Sequence, residues 1–348
     1  MGNRHSTQKF TITISSRNVN CDRRCEEGGY AHKIFPYFAI KDRIDQIIDE
    51  SIKDHPTIIS YCEINAASLN LFNLKLDHNY QILSGAYAPN QIPDQSMYFV
   101  TAYNPRILFL IDSYMFWFTD SPTMQHTSIT RKNDTVLKEA NEQFEKGSLI
   151  TIFKTENDSI IIHSANHLGL REKYQMICSK MLHAHLISLC RKYKKAQIIV
   201  SGDFNTFDHF ENRTVAPFID PENQSEKFKQ HIDPKVPLSF VSYPYDTGLK
   251  TDAETLQKLI DESKDFFDGI VARKMFVDHI VKLYSGPITG LLDHIFTLGI
   301  DDAEFKIDKG LLDISPENLT TEFVRCGKAG IPFMASDHLQ TLIKFQTK

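Results

Sequence analysis

No stretch of this 348-residue chain approaches the ~20 consecutive apolar residues of a transmembrane helix, so no helical membrane span is expected. The chain does not open with a basic segment running into an apolar one, so no secretory leader is expected either. Positive charge is not in excess. Lys and Arg number 39 against 44 Asp and Glu, a net charge of −5. A global basic field for long nucleic acid is therefore lacking, although a short or local contact is not excluded. Six cysteines, at positions 21, 25, 62, 178, 190 and 326, follow no regular spacing. Cys21 and Cys25 lack the second ligand pair that a zinc site needs. Buried free thiols in a reducing compartment are the expectation, which makes the chain cytoplasmic. Internal repeats and low-complexity tracts are also missing.

What remains is ordinary globular composition, 41% apolar and 24% charged, enough for a large core in one large domain or two average ones. Apolar alternation at Phe10, Ile12 and Ile14 predicts a strand, and helical spacing follows over 38–52. A short buried strand runs from Thr57 to Ser60 and ends at Tyr61-Cys62-Glu63. Residues 66–76 read as helix and 84–96 as loop. Strands are predicted near 97–103 and 107–112, before the aromatic run Phe116-Trp117-Phe118, and 119–135 reads as loop. Ser148–Lys154 and Ser159–Asn166 form a predicted hairpin, followed by a long helix over Arg171–Tyr193 and a strand over Ala196–Val200. Residues 208–236 read as loop, 253–283 as a helical insertion, and Leu292–Leu298 as a strand. Hairpins mixed with helices, without regular βαβ alternation, favour two packed sheets with outer helices in one domain.

Several of these strands end in polar residues: Asn18, Glu63, His167 with His163 close by, Asp203 with Asn205, Asp293, and Asp337 with His338. Strand ends are where a β-scaffold displays chemistry. A hard divalent cation such as Mg²⁺ needs oxygen ligands, which Glu63 and Asp337 can supply, with Asn18 or Asn205 adding an amide oxygen. Phosphoester hydrolysis needs an activated water and stabilised charge on the phosphoryl oxygens. A strand-end Asp serves the first need, and amides and imidazoles the second. A His held by a buried Asp gains basicity and a fixed tautomer, and Asp293 with His338 fits such a pair.

These residues sit in motifs that resemble the endonuclease/exonuclease/phosphatase superfamily of Mg²⁺-dependent phosphoesterases. Arg17-Asn18-Val19-Asn20 resembles its first motif, with Arg17 in place of the usual Trp. The run from Pro56 to Glu63 resembles the second, where a strand ends in the metal-binding glutamate. Asn166-His167-Leu168 is similar to the Asn-Thr-His-Leu motif, one residue shorter. Gly202-Asp203-Phe204-Asn205, Leu292-Asp293-His294-Ile295-Phe296 and Ser336-Asp337-His338-Leu339 resemble the remaining motifs, in the family's order. The resemblance implies a DNase I-like four-layer α/β sandwich, a two-layer β-sandwich flanked by helices. It would form a single domain over residues 9–348, behind a flexible N-terminus at 1–8. It implies Mg²⁺, with Mn²⁺ as a substitute, held among Asn18, Glu63 and Asp337. Asp203 would orient the attacking water, Asn205 and His167 would contact the scissile phosphate, and His338 braced by Asp293 would complete the set. His163 competes with His167, because His163-Ser164-Ala165 also resembles a motif of the DNase I branch and four residues on one strand share a face.

Within the family, Phe116-Trp117-Phe118-Thr119-Asp120-Ser121-Pro122 and the helix start from Arg171 to Gln175 resemble bacterial members related to the deadenylase and nocturnin group. A phosphodiester in nucleic acid or a nucleotide is then the expected substrate. A phospholipid or sphingolipid, as for a sphingomyelinase or a phosphoinositide phosphatase, is one alternative, and a catalytically silent binding module is another. Met1-Gly2-Asn3-Arg4-His5-Ser6 fits the N-myristoylation pattern, and acylation at Gly2 would add weak, reversible membrane association.

Overall fold

The computed structural model of the protein is described here over residues 9–19, 40–76, 79–88, 96–125, 128–142, 145–169, 171–206, 213–233, 240–241, 289–290, 292–308 and 338–348. Gly2, three of the six cysteines (Cys21, Cys25 and Cys326), the 253–283 insertion and Asp337 lie outside these residues. In chain order the elements are β1 (Thr11–Asn18), α1 (Ile40–Ile52), β2 (Ile58–Asn65), α2 (Ala66–Leu76), β3 (Gln81–Ala88), β4 (Met97–Tyr103) and β5 (Phe109–Trp117). Next come α3 (Ser128–Asn133), α4 (Thr135–Ala140), β6 (Gly147–Lys154), β7 (Ile160–His167), α5 (Glu172–Lys192), β8 (Gln197–Asp203) and α6 (Ala216–Ile219). The remainder are β9 (Lys229–His231), β10 (Phe240–Val241), β11 (Thr289–Gly290), β12 (Asp293–Leu298), β13 (Ala303–Ile307) and β14 (Thr341–Gln346).

Two mixed six-stranded sheets carry the fold, ordered β13-β14-β1-β2-β4-β3 and β5-β6-β7-β8-β12-β9. The alternation of side chains along each strand sorts the apolar residues into three layers. Ile12, Ile14 and Ile58 of the first sheet meet Phe153, Ile161, Ile199 and Ile295 of the second between the sheets. On the outer side of the first sheet, Ile44, Ile47 and Phe72 of α1 and α2 pack on Ile59 and Tyr61. On the outer side of the second, α5 presents Tyr174, Cys178, Leu182 and Leu186, four residues apart, to Ile152, Ile162, Ile198 and Val200. The result is the helix–sheet–sheet–helix sandwich that the element pattern predicts.

Four predicted stretches differ from the structure. Residues 84–88, read as loop, are the second half of β3; Gly85 there lies against Met115, whose Sδ would be 2.4 Å from an added Cβ. The strand expected at 107–112 is displaced to 109–117 and absorbs Phe116 and Trp117, with a bulge between Leu110 and Asp112 that breaks the alternation. The stretches 119–135 and 208–236 contain the short elements α3, α6 and β9 within their polar runs.

The centre of each sheet is a parallel pair, β1 with β2 and β7 with β8. Register then fixes what stands side by side. His167 is opposite Asp203 across β7 and β8, and Asp203 is opposite Asp293 across β8 and β12. Gly202 makes this row possible. Its φ is +131°, and a Cβ there would fall 2.1 Å from the carbonyl oxygen of Asn166 on the neighbouring strand. Gly202→Ala should therefore cost at least about 3 kcal/mol in urea unfolding, by adding backbone strain to a clash that only a strand shift relieves.

His163 shares its face of β7 with Ile161, Ala165 and His167, but lies in the inter-sheet core, fully buried. Its Nε2 is 2.9 Å from Ser201 Oγ, while its Nδ1 has no hydrogen-bond partner among the described residues. Burial holds this imidazole neutral, lowering its pKa to about 3. A base depressed in the fold contributes stability that is complete above its unfolded pKa and is lost as pH falls below it. The stability difference between wild type and His163→Gln should thus change by up to about 1.4 kcal/mol per pH unit below ~6.5, measured by urea unfolding between pH 7 and 5. A difference that stays constant over that range would mean that the ring is not held neutral.

Candidate active site

The parallel pairs β1–β2 and β7–β8 stack so that their C-terminal ends share one end of the sandwich, where β12 and β14 begin. Asn18, Glu63, His167, Asp203, Asp293 and His338 all converge there, and all are buried. Two local backbone departures aim them. Glu63 would point outward by strict alternation, since Ile59 and Tyr61 do. A bulge between Tyr61 and Ile64, with Glu63 at φ 62°, turns it inward beside Cys62. Asn205, just past β8, also takes a left-handed backbone, φ 53°, and its N–H donates to Asp203 Oδ1 at 2.7 Å.

Asn18 links the two sheets. Its Nδ2 donates to Glu63 Oε1 at 3.1 Å and to Asp203 Oδ2 at 2.9 Å. The expected oxygen ligand thus turns its nitrogen to the acids and spaces them. His167 Nε2 lies 3.4 Å from Glu63 Oε1 and 3.6 Å from Asp203 Oδ2. His338 approaches Asp203 Oδ2 with its Nε2 at 3.8 Å, while its Nδ1 is 2.7 Å from Asp293 Oδ2. The Asp–His pair expected from residues 293 and 338 is therefore formed. His163 sits about 13 Å further along β7 and does not join the cluster.

Asp203 is the electrostatic centre. Burial pushes its carboxyl up to about 7, and neighbouring Asp293 pushes the same way. His338 and the hydrogen bonds from Asn205 N–H and Asn18 oppose the rise. Glu63, His167 and Asp203 bring one ligand atom each within 4.8 Å of one another, close enough for a metal ion to bridge them. The donor set fits a hard cation through its carboxylate oxygens better than through the imidazole nitrogen. A cation there would also offset the charge of buried acids.

Three supporting residues, Tyr87, Arg17 and Gln175, hold the cluster from behind. Tyr87 of β3 places its hydroxyl 2.6 Å from His167 Nδ1 and accepts from the Glu63 N–H at 3.1 Å. The sequence of this stretch reads as loop, whereas in the structure Leu83, Gly85 and Tyr87 alternate inward along β3. Arg17, buried on the outer side of β1, donates from Nε to the His338 carbonyl at 3.3 Å and pairs with Glu50 of α1. It thereby ties the His338 segment to the first sheet. Gln175, in the first turns of α5, donates to the carbonyls of Gly169 and Asn205 at 2.8 and 2.9 Å and clamps the loops after β7 and β8. Asn205, the residue expected at the scissile phosphate, donates from Nδ2 to the Leu168 carbonyl at 2.8 Å.

No protein-family model matches the sequence, and no characterised protein matches it in sequence. Solved structures do match. An endonuclease/exonuclease/phosphatase from Bacteroides vulgatus superposes with a TM-score of 0.57 at 13% identity, covering 97% of this chain and 100% of the other. ANGEL2, a 2′,3′-cyclic phosphatase in complex with adenosine-2′,3′-vanadate, gives 0.61 at 12% identity, covering 97% and 96%. The human nocturnin catalytic domain with bound sulfate gives 0.53 at 12%, covering 97% and 95%. Identities this low speak to architecture, and over nearly its whole length the chain has the fold of the endonuclease/exonuclease/phosphatase proteins.

Proposed function

We propose that this chain is a divalent-metal-dependent phosphoesterase that hydrolyses a phosphodiester in a nucleotide or nucleic acid. The observation that carries the reading is the buried convergence of Glu63, Asp203, Asp293, His167 and His338 at one end of the two central strand pairs. Such a concentration of acids and imidazoles is costly in a merely structural protein and suits phosphoryl transfer. The nucleotide preference draws on the fold shared with ANGEL2, whose complex holds an adenosine-2′,3′-vanadate.

Glu63 and the carboxylate side of the cluster would hold Mg²⁺ or Mn²⁺, with Asp337 as a further oxygen donor. Bound there, the ion would supply Lewis-acid stabilisation of the phosphoryl oxygens. Asp203, its Oδ1 fixed by the Asn205 N–H and its Oδ2 by Asn18, orients the attacking water and takes up its proton. His167 and His338 flank that carboxylate with their Nε2 atoms and would stabilise the charge on the phosphoryl oxygens. Asp293 accepts from Nδ1 of His338 and sets that ring's orientation.

Hydrolysis screened over RNA, DNA, sphingomyelin and phosphoinositides with Mg²⁺ should select a nucleotide substrate. Asp203→Ala should lower the rate by about 10²–10⁴-fold. His167→Ala should lose about 10²–10³-fold, whereas His163→Gln keeps most of the rate. If no substrate separates wild type from Asp203→Ala, the enzyme reading fails.

The raised pKa of Asp203 adds a stability test with a definite sign. An acid raised from its usual range to about 7 keeps its proton in the metal-free fold where the unfolded chain has lost it. Stability then falls as pH rises from ~4 through about 7, and the full cost of the buried anion is present at pH 8. Asp203→Asn should accordingly melt above wild type at pH 8 in EDTA, with the gap closing towards pH 4. Mg²⁺ should raise the wild-type melting temperature more at pH 8 than at pH 5, and that of Asp203→Asn less.

A further inference from the structure

His167 and His338 face the same carboxylate oxygen of Asp203 but are held from behind by different partners. Behind His338 is Asp293 Oδ2, 2.7 Å from Nδ1. Behind His167 is the phenol oxygen of Tyr87, 2.6 Å from Nδ1. The difference fixes where each neutral ring carries its proton. A carboxylate can only accept, so Asp293 requires a proton on Nδ1 of His338. At His167 the carboxylates stand on the other side, since Nε2 faces Glu63 Oε1 at 3.4 Å and Asp203 Oδ2 at 3.6 Å. The proton there belongs on Nε2, which leaves Nδ1 as an acceptor. The Tyr87 O–H then donates to Nδ1, while the same oxygen accepts from the Glu63 N–H. Met97 Sδ, 3.4 Å from the hydroxyl, is a weaker competitor for its proton.

We propose that Tyr87 is a positioning residue whose hydroxyl donates to Nδ1 of His167, holding that ring with its Nε2–H aimed into the carboxylate cluster while pinning the backbone bulge that presents Glu63. Its setting suits this role. Ala86 pairs with Tyr98 and Ala88 with Met97, so Tyr87 is the extra residue of a bulge in β3. The side chain is fully buried, and its ring packs on Phe99 with centroids 4.2 Å apart. Lys146 Nζ sits over the ring at 5.1 Å, and His167 meets it edge-on, also at 5.1 Å. A phenol so fixed cannot follow the imidazole if the imidazole turns. In the hydrolysis proposed above, on which the catalytic consequence rests, His167 would act as a neutral donor to a phosphoryl oxygen. His338, with its proton on Nδ1, would present a bare Nε2 in its neutral form. The two histidines are thus complementary.

The test is a ¹⁵N NMR measurement on histidine-labelled full-length protein without metal at pH 8, with His167 identified by its loss in His167→Gln. Wild type should show His167 protonated on Nε2 and unprotonated on Nδ1. In Tyr87→Phe the Nδ1 resonance should move as its hydrogen-bond donor is lost. With the substrate that wild type hydrolyses, Tyr87→Phe should lower kcat by about 10–100-fold with little change in KM, the usual scale for removing a group that orients a functional side chain. A wild-type His167 protonated on Nδ1, or an Nδ1 signal that Tyr87→Phe leaves in place, overturns the proposal. The wild-type spectrum decides even if the variant does not fold. The spectra need no substrate, so absence of hydrolysis alongside the expected spectra would defeat the phosphoesterase reading and leave the Tyr87–His167 assignment standing.

Discussion

Three carboxylates, those of Glu63, Asp203 and Asp293, are buried in one cluster, and the rest of the site works to make that burial tolerable. Each buried anion costs several kcal/mol unless neighbours replace its hydration. Asn18 spans Glu63 and Asp203 with a single amide nitrogen, the Asn205 main chain caps the other oxygen of Asp203, and His338 bonds Asp293. The left-handed backbones at Glu63 and Asn205 are part of the same cost, since non-glycine residues adopt that region only where surrounding structure holds them. Cys62, between the sheets beside this charge, has its thiol driven well above the usual range by burial and then by Asp203 and Glu63, so it stays an inert hydrophobe. Stability and the proposed activity therefore pull in opposite directions at these positions.

What reconciles them is the architecture. A parallel pair at the centre of each sheet sends both strands out at the same end, and stacking the pairs brings four strand ends together. The row His167–Asp203–Asp293 is a consequence of register alone, and Gly202 is the place where the backbones come too close for any side chain. The second row, across β1 and β2, cannot deliver Glu63 by register, because alternation would send it to the helix-covered face. A bulge does so instead, and the Tyr87 hydroxyl holds the N–H of the bulged residue.

Most of the framework was legible in the sequence for one physical reason: long apolar periodicities survive in the elements that face two layers. Helix α5 and strands β4, β6, β7 and β12 fall within about a residue of their predicted bounds, and Asn18, Glu63, His167, Asp203, Asp293 and His338 are all recognisable from their places at strand ends. What was not legible depends on partners distant in sequence. Strand β3 hides behind Ser84-Gly85-Ala86, where Gly85 has no room for a side chain beside Met115, so the stretch around Tyr87 reads as loop. Arg17 stands where a tryptophan is usual in the resembled family, and only the fold shows it reaching the His338 carbonyl and Glu50. The orientation of the Asn18 amide, nitrogen toward the acids, is likewise set by two residues 45 and 185 positions away.

His163 and His167 show where sequence periodicity stops being informative. They lie on one strand and one face, four residues apart, and motif resemblance favoured each in a different branch. Depth separates them. Four residues along β7 move a side chain from the end of the sandwich, among carboxylates, to the layer between the sheets, where Ile161 and Ile199 are the company and Ser201 the hydrogen-bond partner. In that layer the charged form of an imidazole is unaffordable, so His163 is a neutral core residue, while His167 meets groups whose charge it can answer. A strand's period tells which face a residue takes. How far that face lies from the end of the sheet requires the register of its neighbours, and it is this second coordinate that divides the two histidines between core and cluster.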